Sequence, residues 1–304
     1  MKDIIKKVPV PLCGVMLGLA ALGNLLQSYG EGIRYLCGIV AAFLLVLVLL
    51  KLVMFPQMIK EDMQNPIMAS VAATFPMAIM LLSTYVKPFI GPVAMYIWFL
   101  AIGLHIVLII YFTMKFMLKL QLPKVFASYF IVYVGIAVAA VTAPAYEMQG
   151  IGTLAFWFGF VTLILLLVLV TKRYMQVKEV PEPAQPLICI YAAPMSLCIA
   201  GYVQSVTPKS RGFLLAMLAV ATVLYVFAFI KAIGYLKLKF YPSYAAFTFP
   251  FVISAIAAKQ TMACCANMEQ PVPMLSGLVL VETIIAVGFV LYTLFRFMGF
   301  LFKK

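Results

Sequence analysis

The sequence predicts an all-α membrane protein of ten transmembrane helices, paired as five consecutive hairpins, and three observations predict it. The first is composition. Of the 304 residues 66% are hydrophobic and 10% charged, whereas soluble domains carry about 25% charged residues and under half apolar ones. The second is the recurrence, along the whole chain, of apolar runs of about 20 residues, the length that crosses roughly 30 Å of hydrocarbon. The third is an internal period near 60 residues, in which each unit begins with a proline and holds two apolar runs.

Hydropathy and helix breakers together place the spans near 9–28, 33–55, 66–86, 91–114, 123–143, 149–171, 186–206, 211–234, 242–266 and 274–297, within one transmembrane domain of residues 1–304. The first follows Met-Lys-Asp-Ile-Ile-Lys-Lys, a basic flank of the kind that precedes a secretory signal. No small-residue cleavage site follows, so the segment is expected to stay as the first helix.

The five odd-numbered spans open with Pro9, Pro66, Pro123, Pro186 and Pro242. Proline suits the first helical turn, where its missing N–H has no partner in any case. Seven to ten residues further on stand Pro76, Pro194 and Pro250, with Met16 and Val132 at the equivalent depth in the first and fifth spans. The wording around them repeats: Ala73-Thr74-Phe75-Pro76-Met77 matches Phe247-Thr248-Phe249-Pro250-Phe251, and Ala192-Ala193-Pro194-Met195-Ser196 is a weaker copy. Each interior proline is expected to kink its helix by removing one backbone hydrogen bond.

The even spans are nearly pure hydrocarbon, as in the run from Phe43 to Leu50 and that from Leu163 to Val170. Helices apolar on every face suit lipid. The odd spans carry Ser70, Thr74, Ser128, Tyr133, Tyr191, Ser196, Thr248 and Ser254, which belong inside a bundle or on a watery path. The expected architecture is therefore an inner ring of five odd helices around a central pore and an outer ring of five even helices. Met16, Phe75, Val132, Tyr133 and Thr248 are the candidate pore-lining residues, with Tyr191 a further candidate hydroxyl.

Charge supplies the orientation. Seventeen lysines and arginines, among them Lys2, Lys6, Lys7, Lys303 and Lys304, flank span ends on the side of the termini; Arg34, Lys87, Lys209 and Arg211 flank the other ends. By the positive-inside rule both termini are expected in the cytoplasm, with the chain crossing a cell inner (plasma) membrane. The net charge of +13 is then topological, spread over short loops rather than gathered on one basic face, and nucleic acid is excluded as a partner. The expected partners are lipid and small inorganic or carboxylate anions, because the partly positive N-termini of the odd helices and the basic loops meet at one mouth.

Other chemistry finds no support. There is no metal-ligand spacing, no G-x-S-x-G, no nucleotide loop and a single histidine, so neither an enzyme nor a cofactor or metal is expected. Cys13, Cys37, Cys189, Cys198, Cys264 and Cys265 include no C-x-x-C pair and read as packing residues. Lys259 and Glu282 are the clearest charges within spans, each costing on the order of 3 kcal/mol alone at a helix centre. Their midpoint falls in the turn between the ninth and tenth spans, so an intramembrane ion pair is expected, with an anion-binding Lys259 at the outer vestibule and proton coupling through Glu282 as the alternatives. His105, on the fourth span, is expected to be a hydrogen-bonded structural residue.

With those marks in place, the chain resembles the tellurite-resistance protein A, C4-dicarboxylate transporter and slow-type anion channel family over essentially its whole length. The local marks are the run Gly14 to Asn24 in the first span and Phe247-Thr248-Phe249-Pro250 in the ninth. The resemblance implies a homotrimer in which each protomer has its own pore, occluded midway by a phenylalanine that falls on Phe249. The family's proline in every inner helix is replaced here by Met16 and Val132 in two of them. Two functions follow as expectations: a gated channel or uniporter for chloride-like or nitrate-like anions, and, as the alternative, a proton-coupled carrier of C4-dicarboxylate, sulfite or tellurite-type oxyanions.

Overall fold

The computed structural model describes residues 2–303; Met1 and Lys304, the latter one of the basic residues counted above, lie outside them. Among the described residues, nine helical segments are long and apolar enough to cross a membrane: Leu12–Tyr29, Glu31–Met54, Pro66–Ile90, Val93–Met117, Gln149–Gln176, Glu182–Ser205, Arg211–Tyr235, Pro242–Asn267 and Leu275–Phe302. The stretch expected as the fifth span is broken into Leu122–Lys124, Tyr129–Val134, Ala137–Thr142 and Ala143–Tyr146. Gly135 and Pro144 punctuate it, and neither favours a continuous helix. The ordinal numbers of the spans are kept below, with this segmented stretch as the fifth.

Packing separates odd from even. In the first, third, seventh and ninth segments 67–89% of the most apolar window is buried, against 22–39% in the even ones. The first span packs on the third, the third on the fifth, the fifth on the seventh, the seventh on the ninth and the ninth on the first again. Each even helix leans on the odd helix before it and on the next one along, the tenth closing back onto the first. Large side chains such as Leu36, Ile39, Leu100, Val107, Leu165 and Phe295 are exposed on the even helices. The hydrocarbon runs thus face outward, as helices bathed in lipid require. The two chain ends share one face, where Lys7 Nζ donates to the Lys303 carbonyl at 3.1 Å.

The interior prolines work differently from a kink within a continuous helix. The third span is Pro66–Val71 followed by Thr74–Ile90; the seventh is a 3-10 stretch Glu182–Ala192 followed by Ala193–Ser205; the ninth is a 3-10 stretch Pro242–Phe247 followed by Phe249–Asn267. Pro76, Pro194 and Pro250 each fall within the first three residues of the second piece. The ring clashes with the carbonyl four residues earlier and disfavours helical backbone just before it, so the first helix stops and a second begins with the proline in its opening turn. The fifth span breaks at Gly135–Ile136 without a proline, whereas the first is continuous from Leu12 to Leu26 through Met16.

Each break leaves carbonyls without a helical partner, and in hydrocarbon an unpaired one costs several kcal/mol. Side chains supply donors. Thr74 Oγ1 donates to the Val71 carbonyl at 2.7 Å. His105 Nε2 lies 2.9 Å from the Val132 carbonyl, and since a carbonyl can only accept, Nε2 carries the proton. Ser196 and Ser254 hydroxyls stand 2.9 and 3.0 Å from the Ala192 carbonyl. Thr248 Oγ1 reaches the carbonyls of Ala245 and Gly14 at 2.7 and 3.0 Å.

Candidate functional site

Two cavities occupy the middle of the bundle. One, of about 300 Å³, lies in the half nearer the termini and is walled by all five odd spans, through Pro11 and Gly14, Val71 and Met77, Phe130 and Val134, Leu187 and Pro194, and Ala246 and Pro250. The other, of about 460 Å³, lies in the opposite half and is again walled by all five, through Asn24, Thr84, Thr142, Gln204 and Lys259 among others, joined by Arg34 from the second span. Phe249 and Leu197 belong to the walls of both. No other residue is shared by the two walls.

The position of Phe249 follows from the break beside it. It is the first residue of Phe249–Asn267, directly after Thr248, whose backbone sits at φ −95°, ψ −94°, outside either helix. The first span presses on that point. A Cβ at Gly18 would lie 2.6 Å from Thr248 Cβ and 2.9 Å from the Phe249 backbone nitrogen, closer than any side chain tolerates. The glycine lets the two backbones meet, and Thr248 pins them by its bond to the Gly14 carbonyl. Phe249 itself is 6% exposed.

The two cavities differ in chemistry. The smaller is walled almost wholly by carbon, with Asn65, Thr74 and Ser243 its few polar side chains. The larger carries two cations, Arg34 and Lys259, and the amides of Asn24, Gln27, Gln204 and Gln260. Arg34 Nε donates to Asn24 Oδ1 at 3.1 Å and its guanidinium lies 4.4 Å from the centre of the Tyr85 ring. Lys259 Nζ donates to the Leu25 carbonyl at 2.9 Å and to Ser28 Oγ at 2.6 Å.

Of the gate, helix-break and ion-pair candidates named from the sequence, Phe249, Pro194, Pro250 and Lys259 reach these walls; Pro76 does not. Met16, Phe75, Val132, Tyr133 and Thr248, expected to line a pore, are absent from the walls of either cavity. Gly14 and Leu17 take the inward face of the first span, leaving Met16 wholly buried on another. Val71, Thr74 and Met77 do the same in the third span and displace Phe75. Val132 gives its carbonyl to His105, and the Tyr133 hydroxyl turns outward to Thr113 at 2.7 Å. The Thr248 hydroxyl is spent on the first span. Tyr191 likewise faces outward, 3.0 Å from Thr171 on the sixth span.

The expected ion pair is corrected. Lys259 and Glu282 form none; among the described residues the ion pair is Arg34 with Glu31, at 3.8 Å. Equal distance from the turn puts Lys259 and Glu282 at similar depth, but Lys259 points into the cavity while Glu282 is 3% exposed on the tenth helix with Oε2 lacking a hydrogen-bond partner. Arg34 and Leu197 were not singled out beforehand. Arg34 read as one loop charge among four, and only its spacing of ten from Asn24 across a tight turn hinted that it folds back. Leu197 stands three residues after Pro194, on the same helical face, which is the signal it carried. The six cysteines are unpaired, and no cluster of His, Cys, Asp or Glu suited to a metal occurs among the described residues.

Comparison with known families matches residues 7–298 to the model of the voltage-dependent anion channel family. None of the curated proteins compared with the chain matches it.

Proposed function

The chain belongs to the voltage-dependent anion channel family, and from that premise we propose that it is a gated channel or uniporter passing small, chloride-like or nitrate-like anions along the axis of its five odd spans, with Phe249 as the gate. The observation that carries the reading is the shared wall: two cavities, one in each half of the bundle, both bounded by Phe249 and Leu197. An apolar plug at a narrow point stops ions by blocking and by excluding water. The five hairpins would form an inner ring around this path and an outer ring toward lipid, both termini would lie in the cytoplasm beneath an inner membrane, and three copies would assemble as the family resemblance implies.

The proposal is tested by Phe249→Ala in reconstituted liposomes or planar bilayers. Removing the ring takes away one of the two side chains common to both walls, and anion flux is expected to rise on the order of tenfold over the parent. A variant that reaches the membrane in normal amount and conducts no better refutes the gate.

One observation favours the second reading, a proton-coupled carrier of C4-dicarboxylate, sulfite or tellurite-type oxyanions: Glu282 is buried and holds an unpartnered carboxyl oxygen. The same assay decides between them. A flux that ignores a pH gradient across the liposome removes the carrier, and a flux driven by it removes the simple channel.

A further inference from the structure

We propose that Arg34 and Lys259 together form an anion-binding site in the larger cavity, on the side of Phe249 away from the termini. Its use in transport rests on the channel reading above; its binding chemistry does not.

Both cations are fastened to neighbouring residues at the end of the first span. Arg34 is held by the Asn24 side chain and Lys259 by the carbonyl of Leu25, the next residue, and by Ser28. The Tyr85 ring beneath the guanidinium is itself fixed, its hydroxyl donating to the Ala20 carbonyl at 2.5 Å. Two charged groups from different helices thus converge on the last turn of the first span.

The partners that hold them are chiefly neutral, and this is the decisive point. An amide, a carbonyl and a hydroxyl satisfy hydrogen-bonding geometry without cancelling charge. The carboxylate in reach is Glu31, 3.8 Å from Arg34, with a side chain 57% exposed. It also accepts from Gln27 at 2.6 Å. Two cations against one solvated carboxylate leave a surplus positive charge in a cavity whose other walls are neutral, the amides of Asn24, Gln27, Gln204 and Gln260 and the carbon of Leu81, Val138, Ile253 and Ile256, where charge is screened less than in water. Lys259 retains one of its three donors, and Arg34 has guanidinium N–H groups beyond those committed to Asn24 and the Thr84 carbonyl. A purely structural cap on the first span would need only a neutral donor.

The site suits a small anion with more than one acceptor atom, since cations and amides reach it from several walls. The probe is nitrate, with gluconate holding ionic strength constant, and the readout is thermal unfolding of the full-length protein in detergent. Nitrate is expected to raise the Tm of the parent, Lys259→Gln to need on the order of tenfold more nitrate for the same shift, and Lys259→Arg to restore it. Arg34→Gln is expected to weaken nitrate in the same way and serves if Lys259→Gln gives no folded protein. The proposal is overturned if nitrate fails to stabilise the parent beyond gluconate, or if Lys259→Gln lowers the Tm in gluconate while leaving the nitrate dependence unchanged, the outcome of a mere helix cap. The two readings fail separately: a non-conducting Phe249→Ala leaves this binding test intact, and an unchanged nitrate dependence leaves the gate intact.

Discussion

Gly18 shows how much of the site turns on one missing methyl group. A side chain there would meet Thr248 Cβ at 2.6 Å and the Phe249 nitrogen at 2.9 Å, backbone that has little room to retreat. Gly18→Ala is expected to lower stability by about 1–3 kcal/mol, the usual cost of overpacking, and to lower the Tm in detergent. Gly14→Ala, whose new Cβ would stand 3.2 Å from that of Ala245, should cost less and serves as the control. An equal loss in both variants would show that the close approach at the break is not what the glycine serves. The failed pairing of Lys259 with Glu282 belongs to this scale too. Helical rise makes depth readable from residue number, but direction around the axis depends on how neighbouring helices pack, and there Lys259 found the end of the first span instead. His105 is the converse case: it takes the hydrogen-bonded structural role expected of it, and only its partner, the carbonyl left free by a break in another span, was not written in the sequence.

At the scale of elements, repetition was legible and its consequence was not. The prolines marked the odd spans, yet they restart helices rather than bend them, because the chain can place Pro194 and Pro250 where a missing N–H costs nothing. Pro194→Ala is accordingly expected to shift stability by less than about 1 kcal/mol, against roughly 3 kcal/mol for the release of a proline from a helix interior. Thermal unfolding of this variant checks it, and a large stabilisation would mean that the ring strains a helix that would otherwise be continuous. The fifth span breaks with no proline at all, around Gly135, where a Cβ would clash with the Ile131 carbonyl and the Met77 sulfur. Breakage is thus a property of the shared packing as much as of the ring. The candidate lining residues Met16, Phe75, Val132, Tyr133 and Thr248 lie outside the walls of the two cavities for a related reason. Equivalent depth to a proline does not give equivalent facing, and one or two residues of offset, 100° each, turned Met16, Phe75, Val132 and Tyr133 off the cavity walls.

For the whole molecule, hydrophobic content and the polar bias of the odd spans were enough to read an all-helical membrane protein with its greasiest helices outermost, since bulk lipid and helix length impose both. Charge was legible only as a tally. Counting put most of the lysine and arginine on the side of the termini, which suggested that face as the mouth for anions. Folding put carbon around the cavity on that side and drew Arg34 and Lys259 into the other. Loop charges are placed by solvent and topology, whereas a cavity is charged only by residues that fold back into it.

That inequality between the two vestibules has an electrical consequence. An unplugged conduit with cations at one end and hydrocarbon at the other holds a local reserve of anions at the charged end only, so in identical bathing solutions it should pass current more readily when anions are driven in from that end. Single-channel recordings of Phe249→Ala at low salt are expected to give a curved current–voltage relation that straightens toward 1 M salt, where the Debye length shrinks to about 3 Å. A straight line at every ionic strength would mean that the two ends do not differ as an ion feels them, and a diode-like response would make the protein a one-way valve whose sense is written in the placement of two side chains.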